Sequence, residues 1–178
     1  VPGKPKGMVQ PEPTLARAAT ILLGALTEGA TVFEFGSGGS TLFLAQRAAR
    51  VVSVEHDADW CAAVAKGLEA RGLQADVWLV ETEEMANAIT DEDEFDVVFV
   101  DCYGPQRAQA IGQGARHVRP GGWLVADDYD SKPKVRRAVE WLRGAGWDVA
   151  LVDGIKVHLR KGSVHTSTAF CQRGARCS

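Results

Sequence analysis

The residues able to do chemistry in this chain stand at the ends of short apolar runs. Glu34, Gly36, Ser37, Gly38 and Ser40 lie within Val32-Phe33-Glu34-Phe35-Gly36-Ser37-Gly38-Gly39-Ser40-Thr41. Glu55 closes Val51-Val52-Ser53-Val54-Glu55, Asp101 closes Phe95-Asp96-Val97-Val98-Phe99-Val100-Asp101, and Asp127-Asp128 follow Trp123-Leu124-Val125-Ala126. Glycine tolerates φ > 0 and lets a ligand approach the main chain. A helix starting behind a glycine turn offers free N–H groups and the positive end of its dipole. The first stretch therefore has the make-up of a nucleotide-type cradle, with Ser40 placed to cap the helix. Two ligand classes compete for it. The dinucleotide fingerprint Gly-x-Gly-x-x-Gly is matched at Gly36 and Gly38, but its third glycine is replaced by Thr41. A pyrophosphate also disfavours a carboxylate such as Glu34, whereas a ligand with a cationic amine and no phosphate tolerates it. Glu55, 21 residues after Glu34, stands where an acid of nucleotide-binding α/β folds accepts the two ribose hydroxyls. A carboxylate suits that task because it only accepts hydrogen bonds and has two oxygens.

Alternating strands and helices must position these groups. Helical spacing of Leu15, Ala18, Ala19, Leu22, Leu23 and Leu26 predicts a helix over 12–28, stopped by Gly29. A strand from Thr31 to Phe35 follows, then a helix to about Ala49. A second strand runs over 51–55, and a helix capped by Asp57 over 58–71. The third strand covers 75–80, with a short helix near 85–89. Asp91 to Glu94 form an acidic, solvated connector. The strand at 95–101 is apolar throughout, as one covered on both faces should be. A helix over 106–117, a turn at Arg119-Pro120-Gly121-Gly122, the fifth strand 123–126 and a helix over 134–143 follow. Trp147 to Val152 is a strand, Asp153-Gly154 a turn, Ile155 to Leu159 extended, and Thr168 to Gln172 the last strand. At least five strand–helix alternations describe a parallel α/β sheet with helices on both faces. Ligands of such folds bind at the carboxyl ends of the strands, where Glu34, Glu55, Asp101, Asp127 and Asp128 all fall. Trp78 and Trp147 read as core aromatics.

Composition narrows the class. A length of 178 residues fits one domain, 1–178, with 1–11 and 173–178 loosely held. A net charge of −3 argues against nucleic acid and anionic membranes, which call for a basic footprint. No apolar run approaches a membrane span, and the first residues have no signal-type apolar core. Cys61, Cys102, Cys171 and Cys177 form no Cys-x-x-Cys and no zinc spacing, which points to a reduced, cytoplasmic protein with Cys61 and Cys102 in the core.

From about Glu12 to Gln172 the pattern resembles the class I S-adenosylmethionine (SAM) methyltransferases. The resemblance is carried by Glu34-x-Gly36-x-Gly38-x-Ser40, by Glu55, by the fourth strand ending in Asp101, and by Pro120-Gly121-Gly122 before the fifth strand. It implies a Rossmann-like fold: a seven-stranded, mostly parallel sheet with a C-terminal antiparallel hairpin built from the segments after Trp147. It implies SAM as cofactor, with Gly36, Ser37 and Gly38 facing its methionine and ribose parts and Glu34 near its amine. Ser40, His56 and Asp101 join the same site, and Thr82 and Glu83 flank adenine. Val98-Phe99-Val100-Asp101 and Leu124-Val125-Ala126-Asp127-Asp128 are further similar to metal-dependent small-molecule O-methyltransferases of the catechol and macrocin types. That likeness implies a metal set of Asp101, Asp127 and Asp128 holding Mg²⁺, a hard ion suited to carboxylates and able to make a substrate hydroxyl more anionic. Catechol-type enzymes carry a lysine three residues after the first acid, and here that position is Gly104. No general base transfers, and the candidates are Asp101, Asp128, Lys132 and His165.

The leading expectation is methyl transfer from SAM to an oxygen of a small molecule, with a homo-oligomer left open. A methyltransferase acting on protein or RNA, and a non-catalytic SAM-binding protein, are the alternatives; a nicotinamide oxidoreductase ranks last.

Overall fold

A computed structural model describes residues 9–90, 94–158 and 162–175. The elements are α1 (Arg17–Thr27), β1 (Thr31–Phe35), α2 (Gly39–Ala45), β2 (Arg50–Glu55), α3 (Ala58–Glu69), β3 (Asp76–Leu79), β4 (Phe95–Val100), α4 (Arg107–Gly114), β5 (Val118–Ala126), α5 (Pro133–Gly144), β6 (Asp148–His158) and β7 (Gly162–Gln172). The seven strands form one sheet in the order β3-β2-β1-β4-β5-β7-β6. The first five strands pair in parallel. β7 runs antiparallel to both β5 and β6. The sheet is thus mixed and mostly parallel, with its antiparallel pair at the C-terminal end, as the family resemblance implies.

Alternation along the buried strands sorts side chains between two cores. Phe33 and Phe35 of β1 pack with Val98, Ile111 and Leu142 on the face covered by α4 and α5. Val32 packs with Leu23, Phe43 and Phe99 on the face covered by α1. Each such fully buried side chain contributes roughly 1.5–3 kcal/mol relative to exposure. The same alternation sends Glu34 to the side of Val32, opposite its phenylalanine neighbours, and so beneath α2.

Several boundaries differ from expectation, for identifiable reasons. α1 begins at Arg17 rather than Glu12, because Val9 to Leu15 is an irregular, bent segment whose Val9 is buried against Leu42, Val64 and Leu68. The part of the expected loose N-terminus that is described is therefore held down, and 1–8 lie outside the described residues. α2 ends at Ala45, four residues early. Ser40 is not its cap: the cap is Gly38, and the Ser40 hydroxyl turns inward. Asp57 does cap α3, accepting from Trp60 N at 3.0 Å. Arg119 to Gly122 is no turn between elements. It lies inside β5, where a register shift against β4 absorbs it, and Arg173 pairs with Gly121 and Gly122 at 2.8 and 2.9 Å. Arg173 is thereby fixed, while 176–178, with Cys177, lie outside the described residues.

The largest difference is the C-terminal hairpin. Asp153-Gly154 was expected to turn, but β6 runs unbroken from Asp148 to His158 and pairs along its whole length with β7. β5 accompanies β7 only from Ala169 to Gln172. The remainder of the hairpin is an arm that continues past the end of β5. Trp78 is 39% exposed on the edge strand β3 rather than in the core, whereas Trp147 packs against the core. Cys102 is buried, and Cys61 only partly so. The acidic connector at 91–93 lies outside the described residues. Among the described residues, no helix is long and apolar enough to cross a membrane.

Candidate active site

β1, α2 and β2 build the glycine turn from the inside out. The Glu34 carboxylate is fully buried and accepts three hydroxyls: Ser40, Thr41 at 2.6 Å and Ser53 at 2.5 Å. Burial drives its pKa up to about 7, against the pull of those hydroxyl donors. Thr41 Oγ1 also accepts from Gly38 N at 2.9 Å, so Glu34 is tied to the turn's backbone at second hand. Its carboxylate therefore braces the turn from beneath, where the resemblance had implied a place beside the SAM amine. Gly36 sits at φ 92°, and a Cβ there would come within 2.8 Å of Cys102 Cα. Only glycine brings the β1 and β4 ends this close.

Glu55, 4% exposed, faces the other side of the turn. Its Oε2 accepts Ser37 N at 3.0 Å and Ser37 Oγ at 3.2 Å, and its Oε1 accepts the backbone N–H groups of His56 and Asp57 at 2.8 and 3.0 Å. Trp60 Nε1 donates to Ser37 O at 2.6 Å and closes the turn from behind. His56 Nδ1 lies 2.9 Å from Glu55 Oε1 but off the hydrogen-bonding direction, and is a buried polar atom without a hydrogen-bond partner. The His56 ring lies 5.6 Å from that of Tyr103, which is 47% exposed beyond the end of β4. Thr82 is half-buried and Glu83 exposed, in the turns after β3.

The ends of β4 and β5 bring Asp101, Asp127 and Asp128 together, and two cations come with them. Arg107, the first residue of α4, donates Nη2 to Asp101 Oδ1 at 2.7 Å, Nη1 to Asp128 Oδ2 at 2.8 Å and Nε to Cys102 O at 2.9 Å. Lys156, on the inward face of the hairpin arm, donates to Asp127 Oδ2 at 2.6 Å and Asp128 Oδ1 at 2.8 Å. Thr168 Oγ1 donates to Asp127 Oδ1 at 3.0 Å. Asp128 takes a left-handed backbone, φ 60°, which aspartate tolerates better than most residues. The carboxylates offered as Mg²⁺ ligands are thus spent on protein cations. Among the described residues, no group of three or more His, Cys, Asp or Glu side chains is arranged to hold a metal ion. The residues present do not fit Mg²⁺.

The same contacts set the acidities. Asp101 is pushed up to about 7 by burial, which with the charges of Asp127 and Asp128 outweighs Arg107 and Lys156. Burial also acts to raise Asp128, but Arg107 and Lys156 outweigh it and hold the carboxyl below its ordinary range. Burial pushes the Cys102 thiol up to about 12, so it is inert here. His165 is 66% exposed on the arm, with Nδ1 3.6 Å from Asp130 Oδ2, apart from the aspartate cluster. Lys132 caps the start of α5, and its Nζ lies 4.0 Å from where a Cβ on Gly104 would stand. A lysine from another element thus approaches the position at which Gly104 lacks one.

Sequence reasoning missed Arg107 and Lys156. Three carboxylates converging on one buried edge signal that cations must come from somewhere, but not from where.

Comparison with known proteins bears on this geometry. A family model described as a methyltransferase domain matches residues 33–129, more than half of the chain, from within β1 through the aspartate pair. Formate dehydrogenase H of Escherichia coli (strain K12) is 31% identical over 134 residues, 73% of this chain; the chain spans 17% of that protein's length. A SAM-dependent O-methyltransferase from Thermotoga maritima superposes with a TM-score of 0.67 at 15% identity, covering 94% of this chain and 68% of that one. The O-methyltransferase TomG from Streptomyces achromogenes, in complex with SAM, gives 0.65 at 22% identity, covering 88% and 78%. A precorrin 8w decarboxylase from Methanobacterium thermoautotrophicum gives 0.65 at 21% identity, covering 94% and 97%. With its glycine turn and strand-end acids falling inside that match, the chain belongs to the class I SAM-dependent methyltransferases.

Proposed function

We propose that the chain transfers the methyl group of SAM to an oxygen of a small molecule. The observation that carries this reading is Glu55, held at the end of β2 with Oε2 turned to the glycine turn through Ser37 and Oε1 on the backbone of His56 and Asp57. A ribose diol offers O–H donors to the same oxygens and would compete with the Ser37 hydroxyl. Gly36, Ser37 and Gly38 would line the methionine and ribose side, and His56 and Tyr103 offer rings beside the adenine, with Thr82 and Glu83 at its edge. Glu34 and Ser40 serve the site through the turn they brace.

SAM supplies a methyl group that is already electrophilic. What remains for the protein is to hold an oxygen in line with it, which supplies much of the rate, and to take the oxygen's proton. Asp101 suits the second task. It is partly open at the mouth between β4 and β5, and its raised pKa places a carboxylate near the working range of a general base. Asp128, held ionised by two cations, is a weak base and a better hydrogen-bond acceptor for orienting the substrate. Lys132 near Gly104 is a second candidate to face the oxygen; His165, paired outward, is the least suited.

Calorimetric titration tests the cofactor half: SAM or S-adenosylhomocysteine should bind, and Glu55→Ala should weaken it by about 10²-fold or more, the scale of losing charge-assisted hydrogen bonds. Unchanged affinity in the variant would refute the assignment. For the acceptor half, a panel of small hydroxylated compounds should yield methylated product whose rate rises with a pKa near 7, and Asp101→Asn should remove that limb. Methylation found only on protein or RNA would favour the macromolecular reading, for which the acidic net charge of −3 gives no support.

A further inference from the structure

We propose that Arg107 and Lys156 are the resident cations of the acceptor site, standing where a divalent ion would otherwise be needed, so that this chain positions its three aspartates and transfers methyl groups without a metal. The part about transfer rests on the function proposed above; the part about the cations does not.

The geometry is specific. Asp101, Asp127 and Asp128 come from the ends of two adjacent strands and crowd three carboxyl groups together. Arg107 bridges Asp101 to Asp128, and Lys156 bridges Asp128 to Asp127, at 2.6 to 2.8 Å. Each of the Asp128 oxygens takes one cation, and both oxygens of Asp127 are taken, by Lys156 and Thr168. Neither cation is a surface group that swings in: the side chains of Arg107 and Lys156 are 8% and 9% exposed. Arg107 is further fixed by donating to Cys102 O. Lys156 is fixed because β6 runs straight through Asp153-Gly154, which places it on the inward face of the arm, beyond the end of β5.

Two charges of +1 at these positions do what one ion of +2 would do electrostatically. They neutralise most of the carboxylate charge, hold Asp128 in its left-handed conformation and fix the angle between the β4 and β5 ends. They differ in what they leave for the substrate. A divalent ion keeps open positions that bind an oxygen directly, whereas here the oxygens of Asp101 and Asp128 remain as acceptors at the edge, 23% and 19% exposed. Such a site favours an acceptor that arrives as a hydrogen-bond donor, a neutral hydroxyl or an amine, over one that arrives as an oxyanion. Lys156 and Arg107 are positioning residues in this scheme.

Manganese(II) is the probe, because its free aqueous spectrum in electron paramagnetic resonance falls as it binds. The unsubstituted protein should leave the Mn²⁺ signal undiminished, and its S-adenosylhomocysteine affinity should not change after EDTA treatment. Removing Lys156 should open the oxygens of Asp127 and Asp128: Lys156→Ala, or Lys156→Met where the aliphatic stem is needed for folding, should gain one Mn²⁺ site at least about tenfold tighter than the wild-type protein shows. Adding Asp128→Asn should abolish that gain, and Lys156→Arg should not produce it. Stoichiometric Mn²⁺ binding by the wild-type protein that Asp128→Asn removes would overturn the proposal, and so would a folded Lys156 variant that gains no site. Loss of S-adenosylhomocysteine binding altogether would sink the methyltransferase reading and leave the Mn²⁺ outcomes as readable as before.

Discussion

Glu34 and Lys156 show what spacing encodes and what it leaves out. Glu34 stands in a motif position, so its type suggests a ligand contact; yet its place between Phe33 and Phe35 in a buried strand already dictates that it points to the opposite face, into α2. Three hydroxyls then satisfy it. Lys156 stands in no motif. Its partners Asp127 and Asp128 are 29 and 28 residues away, across a strand pairing that only the folded chain sets. The place of Glu55 against the glycine turn was legible because its distance from that turn is fixed by one helix and two strands. At this scale the cost of a change follows from what it strands. Asp127→Ala leaves the Lys156 ammonium nearly buried, with one partner lost and Asp128 alone to hold it, which should cost about 3–5 kcal/mol in a urea unfolding titration. The double change Asp127→Ala with Lys156→Met should recover much of that loss, since an apolar pair leaves no buried charge. A double variant as unstable as the sum of its singles would show that Asp127 matters through Thr168 or packing instead.

The strand–turn–helix unit is the element the site depends on, and two backbone contacts fix it. Gly36 lets β1 reach the backbone of Cys102 at the end of β4. Gly39, the first residue of α2, lies under the N-terminal segment: a Cβ there would be 2.5 Å from Gln10 O and 2.3 Å from Glu12 O. Backbone atoms cannot step aside as a flexible side chain can. Gly39→Ala should therefore dislodge residues 9–12 and free Val9 from Leu42, Val64 and Leu68, at roughly 1–3 kcal/mol, the usual cost of overpacking. Hydrogen exchange is the direct check. Amides of 9–12 and of α2 should exchange faster in the variant while those of α5 do not; uniform acceleration would mean a global loss unrelated to this contact. Gly36→Ala should be worse, because φ 92° adds backbone strain to a clash with the main chain, and cofactor affinity should fall with stability. Elements were the most legible scale in the sequence where apolar runs were long, as in β4, and least legible where glycine misled. Asp153-Gly154 has turn chemistry, but inside a two-stranded antiparallel arm the pairing with Thr166 and Ser167 overrides it. Pro120-Gly121-Gly122 likewise folds as an irregularity within β5 rather than as the loop that precedes it.

At the scale of the molecule, the sheet order places the crevice. The order reverses between β1 and β4, so successive crossovers leave in opposite directions, and the strand ends there are open to a ligand. The alternation of elements predicts the parallel sheet, and the family resemblance its seven strands and C-terminal hairpin; the strand order itself is set by the fold. It also gathers acids on one edge, and their titration must show in the stability of the whole. Glu34 and Asp101 have ordinary values of 4.5 and 3.8 when unfolded and about 7 when folded. Between those limits the native state binds more protons than the unfolded state, so unfolding free energy falls as pH rises from about 4 to about 7. Asp96 and Asp128 work the other way. Burial would raise both, but the Thr31 hydrogen bonds and Arg119 hold Asp96 down, and Arg107 and Lys156 hold Asp128 down. The stability they contribute is present above their ordinary value of 3.8 and lost as pH falls below it. The raised pair makes stability fall from about pH 4 toward neutrality, and the depressed pair makes it fall again below their ordinary value. Urea titrations at dilute protein, stepped from pH 4.5 to 8, should give midpoints that decline toward neutrality. Glu34→Gln, which keeps the shape but removes the charge, should flatten part of that decline, and Asp101→Asn the rest. A midpoint that holds level or climbs across this range in the wild-type protein would mean that Glu34 and Asp101 are ionised in the native state at neutral pH, with the hydroxyls around the one and Arg107 beside the other outweighing their burial.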